Sequence, residues 1–259
     1  MNFRIIPRLD VKNNNLIKGI NFEGLKILGK PEEFSKFYYE NGADELILTD
    51  AVASLYGINS LHGILEEIVK NISLPISIGG GITTIETIKK LMNSGADRVI
   101  LNTYAVRNPK FLEDAVKYFG SSSIIIAIDY KIKKNSDEKN KFSYEVFIEN
   151  GKQQTNIDAY DWAIECQRLG VGEILLTCID KEGLMKGADF ELPKKISSNL
   201  NIPFLVGGGI GKKEDILDLQ KNTNCSGVSL ASLLHYKKEN IYDIKSYLKK
   251  NSKNILIHE

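Results

Sequence analysis

One glycine-containing stretch occurs twice in the chain. The first copy is Leu74-Pro-Ile-Ser-Ile-Gly79-Gly80-Gly81-Ile82, and the second, 128 positions later, is Ile202-Pro-Phe-Leu-Val-Gly207-Gly208-Gly209-Ile210. In each copy an apolar run opened by proline predicts a buried strand, and the glycines predict a turn where backbone closely approaches another group. Exposed backbone N–H groups followed by a helix favour a phosphate. A single copy is equally typical of a tight turn, whereas two copies at half-chain spacing favour a duplicated phosphate site.

Short apolar segments alternate with amphipathic ones along the chain. Eight segments are predicted strands: 3–10, 45–50, 74–79, 98–103, 123–129, 173–180, 202–207 and 227–232. Eight strand–helix units close into a (β/α)8 TIM barrel, and 259 residues suit one such domain. Glu45-Leu-Ile-Leu and Glu173-Ile-Leu-Leu are separated by the same 128 positions as the glycine copies. The sequence therefore predicts a single barrel, 1–259, built from two similar (β/α)4 halves.

Two segments interrupt this alternation. Residues 11–31 are polar, rich in asparagine and longer than a usual βα loop, so we predict a structureless loop that serves as a lid. Residues 130–156 begin with a lysine-rich run, alternate like a strand over 142–149 and then reach the turn sequence Asn150-Gly151. We interpret 130–156 as a hairpin excursion after the fifth strand.

The composition excludes several classes of function. The chain is 42% hydrophobic and 26% charged, with a formal net charge of +1, so we expect a globular protein without affinity for nucleic acid or membranes. It has no run of about 18 apolar residues and no signal-peptide core. Its three cysteines and three histidines are dispersed, which indicates neither a disulfide framework nor a metal site. We therefore expect a cytoplasmic protein without a metal or cofactor.

Four aspartates fall at predicted strand ends, the edge where TIM barrels place their active sites: Asp10, Asp50, Asp129 and Asp180. Asp10 ends the first strand and Asp129 the fifth, positions that face each other across an eight-stranded barrel. Two carboxyls on opposite sides of a pocket suit a general acid and a general base acting on one substrate. A helix cap or loop anchor is the alternative for any single aspartate, but the matching positions of this pair favour catalysis.

The duplicated loops predict two phosphate sites at the same edge. The residue sets are Gly80, Gly81, Asn102 and Thr103 after the third and fourth strands, and Gly208, Gly209, Ala231 and Ser232 after the seventh and eighth. Loops after the last two strands are the usual phosphate pocket of this fold. A substrate with a phosphate at each end would span the barrel mouth and pass between the opposed aspartates.

Two arginines and two glutamates stand at strand starts, on the other face of the barrel: Arg4, Glu45, Arg98 and Glu173. Two residues of each sign could form a closed ring of ion pairs at the barrel bottom. Residues on this face usually contribute stability, so a structural brace is the alternative to a functional ring.

Together these motifs resemble the cyclase subunit of imidazole glycerol phosphate synthase over essentially the whole chain. The matching stretches are Leu9-Asp10-Val-Lys, Asp44-Glu-Leu with Asp50, Gly79-Gly-Gly-Ile, Gly95-Ala-Asp with Asn102-Thr103, Ala127-Ile-Asp129, and Gly172-Glu-Ile-Leu-Leu-Thr177 with Ile179-Asp180. The resemblance implies a carbon–nitrogen lyase of histidine biosynthesis. Such an enzyme uses ammonia from a glutaminase subunit, docked at the barrel bottom, to convert a ribulosyl-aminoimidazole bisphosphate into imidazole glycerol phosphate and an aminoimidazole carboxamide ribotide.

The same resemblance implies roles for particular residues. Asp10 and Asp129 would be the acid/base pair, and Lys18 would lie on the lid over a phosphate. The four charged residues at the strand starts would form the ammonia gate. The matched motifs also place Asp50, Thr177 and Asp180 among the substrate-binding residues.

Arg8 departs from the family's pattern, because it stands where the family has a small cysteine. Strand alternation points it into the barrel with Asp10, where we expect it to lower the pKa of that carboxyl and to crowd an ammonia path.

Two alternative functions follow from these features. The sequence Asp50-Ala-Val-Ala-Ser-Leu-Tyr-Gly57 resembles that of a divergent branch of the family, which occurs beside a paired glutaminase in surface-sugar pathways. There the barrel would activate a glutaminase and deliver ammonia to a separate sugar amidotransferase. The other alternative is the sister sugar-phosphate isomerase, which shares the barrel and the paired phosphate sites and needs neither ammonia nor a partner.

Overall fold

A computed structural model describes residues 3–51, 53, 61–134 and 142–252. The strands are β1 (Arg4–Lys12), β2 (Asn15–Ile20), β3 (Glu23–Gly29), β4 (Leu46–Asp50), β5 (Ile76–Gly79), β6 (Arg98–Leu101), β7 (Ile124–Lys134), β8 (Phe142–Ile148), β9 (Gln153–Asp158), β10 (Glu173–Cys178), β11 (Phe204–Gly207) and β12 (Gly227–Leu230). The helices are α1 (Pro31–Glu40), α2 (His62–Val69), α3 (Ile85–Asn93), α4 (Thr103–Arg107), α5 (Pro109–Phe119), α6 (Ala159–Arg168), α7 (Glu191–Ser197), α8 (Lys213–Asn222), α9 (Ser232–His235) and α10 (Ile241–Asn251).

Eight of these strands pair in parallel and close into a barrel. Their order is β1, β4, β5, β6, β7, β10, β11 and β12, and β12 pairs back with β1. Helices follow the strands on the outside of the barrel. The predicted (β/α)8 TIM barrel is confirmed. Within the described residues, no helix is long and apolar enough to span a membrane.

Strand alternation divides the buried side chains between two layers, because successive residues of a strand point to opposite faces. The larger apolar cluster includes Ile5, Leu48 and Val99 together with helix residues, so it lies between the strands and the helices. A separate cluster fills the barrel interior: Ile6, Ile47, Ile100, Ile125, Ala127, Leu175 and Leu205. The barrel interior between its bottom and its mouth is therefore mainly apolar, although the buried hydroxyls of Ser77 and Ser229 share its inward face.

Residues 11–31 contain a β-hairpin, so the prediction of a structureless loop was wrong. β1 continues past Asp10 and pairs antiparallel with β2, which pairs antiparallel with β3. Three of the four asparagines that suggested a loop lie in the turns on either side of β2. Asn13, Asn14 and Asn21 have positive φ values of 48°, 58° and 50°, a conformation that asparagine tolerates better than most residues. The asparagine-rich composition of residues 11–31 thus reflects their turns and does not indicate an irregular loop over the whole segment.

The second interruption also contains antiparallel strands. β7 runs to Lys134, well past the predicted strand end at Asp129, and pairs with β8, which pairs with β9. Residues 135–141 lie outside the described residues, as do 52 and 54–60, which include most of the Asp50–Gly57 sequence. Three barrel strands end earlier than predicted: β6 at Leu101, β10 at Cys178 and β12 at Leu230.

Candidate active site

The opposed aspartates meet in one cavity at the barrel mouth. Asp10 near the end of β1 and Asp129 on β7 both line a cavity of about 130 Å³. Both residues are buried, with 9% and 6% of their surface exposed. The same cavity collects one of the predicted phosphate sets and another strand-end aspartate: Asp50, Gly80, Gly81, Asn102 and Thr103. Arg8 lines it as well.

Asp10 is paired with a cation. The Nε of Arg8 donates to Oδ1 of Asp10 at 2.9 Å, and Nη1 of Arg8 donates to Oγ1 of Thr177 on β10 at 3.3 Å. Burial by itself would raise the pKa of Asp10, but the nearby charges of Arg8 and Lys18 outweigh it and lower that pKa. The expected effect of Arg8 on this carboxyl is confirmed.

Asp129 has a neutral partner instead. The side-chain amide of Asn102 donates from Nδ2 to Oδ2 of Asp129 at 2.7 Å. Burial raises the pKa of Asp129 to about 6, although the charge of Arg8 and the Asn102 hydrogen bond oppose the shift. Two carboxyls whose pKa values move in opposite directions are suited to separate acid and base roles.

The first predicted phosphate set lies around the glycines after β5. Gly80 has φ +104°, and a Cβ there would lie 2.5 Å from the carbonyl oxygen of Asp50. Only glycine fits such a position, so no side chain at residue 80 covers the backbone on the cavity side. Thr103 begins α4, and its Oγ1 accepts from the backbone N–H of Glu149 at 3.0 Å. Asp50 Oδ1 accepts from the N–H of Ala53 at 3.0 Å, so Asp50 also anchors its loop.

The second predicted set lines a smaller cavity of about 20 Å³, with Gly208, Gly209, Ala231 and Ser232 together in its wall. Gly208 matches Gly80: its φ is +91°, and a Cβ would lie 2.7 Å from the carbonyl oxygen of Cys178. Oγ of Ser232 is buried and has no hydrogen-bond partner among the described residues. A buried hydroxyl without a partner is a ready donor to an incoming oxyanion.

Lys18 on β2 of the hairpin lies beside this second cavity without lining it, and it is 3% exposed. It forms an ion pair with Glu182, a residue of the cavity wall. The hairpin is further held by the backbone N–H of Asn21, which donates to the carbonyl oxygen of Glu182 at 2.9 Å. Gly183 packs so closely that a Cβ would lie 2.4 Å from the carbonyl oxygen of Gly19. The hairpin therefore rests on the loop that follows β10.

Sequence reasoning missed Glu182. The available signal was its position two residues beyond Asp180, in a loop that follows a barrel strand. Asp180 itself is absent from the walls of the two described cavities. Its Oδ2 accepts from the N–H of Ile132 on β7 at 2.7 Å, so it ties the loop after β10 to the neighbouring strand.

The four charged residues at the strand starts form a closed ring. Arg4 Nη1 lies 2.8 Å from Glu45 Oε1, and Arg98 Nη1 lies 2.6 Å from Glu173 Oε2. Ion pairs between Arg4 and Glu173 and between Arg98 and Glu45 complete it. Each guanidinium thus bridges both carboxylates. The ring sits below the apolar interior layer, because Arg4 precedes Ile6 on the inward face of β1.

Comparisons with known proteins all indicate the same protein family. The model of a family described as "Histidine biosynthesis protein" matches residues 4–240. Three similar proteins are named imidazole glycerol phosphate synthase subunit HisF. The one from Legionella pneumophila is 44% identical and covers 83% of this chain and 98% of its own length. The one from Hydrogenobaculum sp. is 41% identical and covers 98% of each chain, and the one from Methanococcus vannielii is 37% identical and covers 96% of this chain and 97% of its own length. The match extends over nearly the whole length of both partners in the last two pairs. The chain belongs to this histidine biosynthesis protein family.

Proposed function

We propose that the chain is the cyclase subunit of an imidazole glycerol phosphate synthase. It uses ammonia to convert a ribulosyl-aminoimidazole bisphosphate into imidazole glycerol phosphate and an aminoimidazole carboxamide ribotide. The observation that carries the proposal is the placement of Asp10 and Asp129 in one cavity, with a glycine loop on each half of the barrel. The names of the relatives, which cover nearly the whole chain, support the same reaction.

A substrate with two phosphates suits the two cavities. Backbone N–H groups next to glycines with positive φ form concavities that bind anions. Gly80 and Gly208 supply such positions in matching loops, and Ser232 adds a hydroxyl without a partner among the described residues. With one phosphate on each loop, the middle of the substrate would lie between the two aspartates. Asp50, Thr177 and Asp180 would then act mainly by fixing the loops and Arg8 around that substrate.

The barrel axis suits the delivery of ammonia. The interior layer is mainly apolar, so burying an ammonium ion there would be costly, whereas the penalty for neutral ammonia is far smaller. We propose that a glutaminase subunit docks at the strand starts, where the ring of Arg4, Glu45, Arg98 and Glu173 closes the barrel bottom. The ring would act as the gate, and Lys18 would contact a substrate phosphate once Glu182 releases it.

Turnover with an ammonium salt tests the proposal without the partner. We expect the purified chain to consume the aminoimidazole bisphosphate, and Asp10→Asn or Asp129→Asn to lower the rate at least about 100-fold, as expected for a lost acid or base. Asp97→Asn is the matched control, since Asp97 accepts from the N–H of Ile76 at the other end of the strands. Full activity in both aspartate variants would refute the proposed roles.

The same assay separates the alternatives. A sister isomerase would act on its own sugar-phosphate substrate without ammonia. A pure ammonia-delivering partner would stimulate a glutaminase and yield no cyclase product. The relatives named as synthase subunits favour the cyclase over both.

A further inference from the structure

Arg8 occupies an unusual place between the apolar interior and the catalytic mouth. Alternation along β1 points Arg4, Ile6, Arg8 and Asp10 to the barrel interior, so Arg8 lies directly above the apolar layer. Only 13% of its side chain is exposed. Its guanidinium spans the barrel from Asp10 on its own strand to Thr177 on β10. The guanidinium of Arg8 is thus held by hydrogen bonds to residues of two strands of the barrel.

A buried guanidinium remains charged and requires an anion beside it. The acidic groups near Arg8 are Asp10, Asp129 and Glu182. Glu182 already forms an ion pair with Lys18, and Asp129 accepts from the amide of Asn102. Asp10 is the carboxylate that Arg8 contacts directly, at 2.9 Å. The pair is satisfied only while Asp10 is ionised.

The other titratable groups that face Asp10 come from three elements. Lys18 reaches it from β2, Asp129 from β7 and His235 from α9. Burial and then the charge of Lys18 lower the pKa of His235 to about 4, and Nδ1 of its ring shares a hydrogen bond with the Tyr38 hydroxyl at 2.6 Å. His235 is therefore neutral near pH 7. Arg8 supplies the cation that is hydrogen-bonded to Asp10.

We propose that Arg8 is a positioning residue that holds Asp10 as an oriented anion and thereby makes Asp10 the proton acceptor and Asp129 the proton donor. When ammonia adds to a carbonyl carbon, the C–N bond forms as the C=O π bond breaks. Asp10 takes one proton from the nitrogen, and the carboxylic acid of Asp129 supplies one to the oxygen, which gives a carbinolamine. As the C–O bond then breaks and water leaves, the hydroxyl takes a proton from Asp10 and the nitrogen gives its second proton to Asp129, so both carboxyls return to their starting states. This inference rests on the proposed function for the reaction, but the state of the two carboxyls can be measured in the protein alone.

Carboxyl titration by ¹³C NMR provides a readout that does not depend on activity. Signals are assigned by their loss in Asp10→Asn and Asp129→Asn. We expect Asp10 to titrate below Asp129 in the wild-type protein. In Arg8→Gln, which keeps an amide donor and removes the charge, the Asp10 midpoint should rise by at least about one pH unit. Arg8→Lys, which restores the charge, should bring it back toward the wild-type value.

The pH profile of kcat/KM, measured at constant concentration of neutral ammonia, gives the catalytic readout. The charge of Arg8 lowers the pKa of both Asp10 and Asp129. Its removal in Arg8→Gln should therefore move the whole profile to higher pH by about one unit, and Arg8→Lys should keep the wild-type profile. A purely structural role would lower kcat/KM equally at every pH.

Several results would overturn the inference. They are an Asp10 midpoint at or above that of Asp129 in the wild type, an unchanged midpoint in Arg8→Gln, or an unshifted pH profile. If Arg8→Gln fails to fold, the double variant Arg8→Gln/Asp10→Asn removes both partners and should fold, and the wild-type order of midpoints still decides. A protein that shows no turnover but has the expected midpoints would refute the proposed function and leave the role of Arg8 intact.

Discussion

The two halves of the barrel place an aspartate at matching positions but surround it differently. In the first half, Asp10 contacts the guanidinium of Arg8; in the second, Asp129 contacts the amide of Asn102. Both are buried to a similar extent, so burial alone does not separate them. The difference lies in the charge of the partner. The charges of Arg8 and Lys18 near Asp10, against a neutral amide bonded to Asp129, give the two matching positions opposite pKa shifts.

The two glycine loops differ in the same way. The loop after β5 borders the larger cavity, whereas the loop after β11 borders a small one whose wall contains Glu182 in its ion pair with Lys18. The backbone of the two loops is alike, since Gly80 and Gly208 have similar φ values and similarly close backbone neighbours. The side chains from the hairpin and the loop after β10 create the asymmetry.

Replacing each aspartate by asparagine should affect stability with opposite sign. The larger effect is expected for Asp10→Asn, which leaves the Arg8 guanidinium without its hydrogen-bonded carboxylate and should lower the free energy of unfolding by about 3 kcal/mol at pH 7. Because the pKa of Asp10 is lowered in the folded state, this contribution is present above the unfolded pKa and is lost as pH falls through the folded one. Urea denaturation at pH 7 measures the loss of unfolding free energy, and urea denaturation in acid measures how that loss depends on pH. An unchanged stability at pH 7 would contradict the pairing.

Asp129→Asn should instead stabilise the protein, by about 2 kcal/mol at pH 7. Burial raises the pKa of Asp129 to about 6, so the folded wild type is favoured at low pH and loses stability as pH rises through 6. Asparagine does not titrate and escapes that loss. The gain measured by urea denaturation should therefore grow between pH 4 and pH 7. A gain that is equal at both pH values would show that Asp129 is not the titrating group.

The smallest effects are expected for the hydroxyls beside the two glycine loops. Ser232→Ala should raise KM for the bisphosphate about tenfold, the loss of one hydrogen bond to a charged group, and should leave stability unchanged. Thr103→Ala should also lower the free energy of unfolding by about 1 kcal/mol, because the N–H of Glu149 loses its acceptor.

Ser35→Ala is the matched control for the serine variant. Ser35 on α1 is likewise buried, with an Oγ that has no partner among the described residues. It is not part of either cavity wall, so KM should not change. Equal KM values for all three variants would argue against phosphate binding by these loops.

Local sequence was sufficient to predict the barrel and the meeting of Asp10 and Asp129. Strand periodicity fixes which residues point inward, and the doubled glycine stretch fixes the position of each half, so the charged ring of Arg4 and its partners followed as well. The contact of Arg8 with Asp10 also follows from alternation, since residues two apart in a strand share a face.

Contacts between distant loops could not be predicted in this way. The Lys18–Glu182 pair joins a hairpin to the loop after β10, and no periodicity relates the two segments. The hairpin itself was missed because its asparagines, here in left-handed turn positions, are equally frequent in irregular loops. The opposite pKa shifts of the aspartates depend on burial and on neighbours that only the folded chain supplies.

The most direct test of the whole account is a crystal structure of the Asp129→Asn variant with the aminoimidazole bisphosphate bound. One phosphate should lie on the Gly80–Gly81 loop and the other on the Gly208–Gly209 loop, with the reacting part of the substrate between Asp10 and position 129. Glu182 should have moved off Lys18 to admit the second phosphate. A substrate held by one loop only, with the Lys18–Glu182 pair intact, would contradict the account.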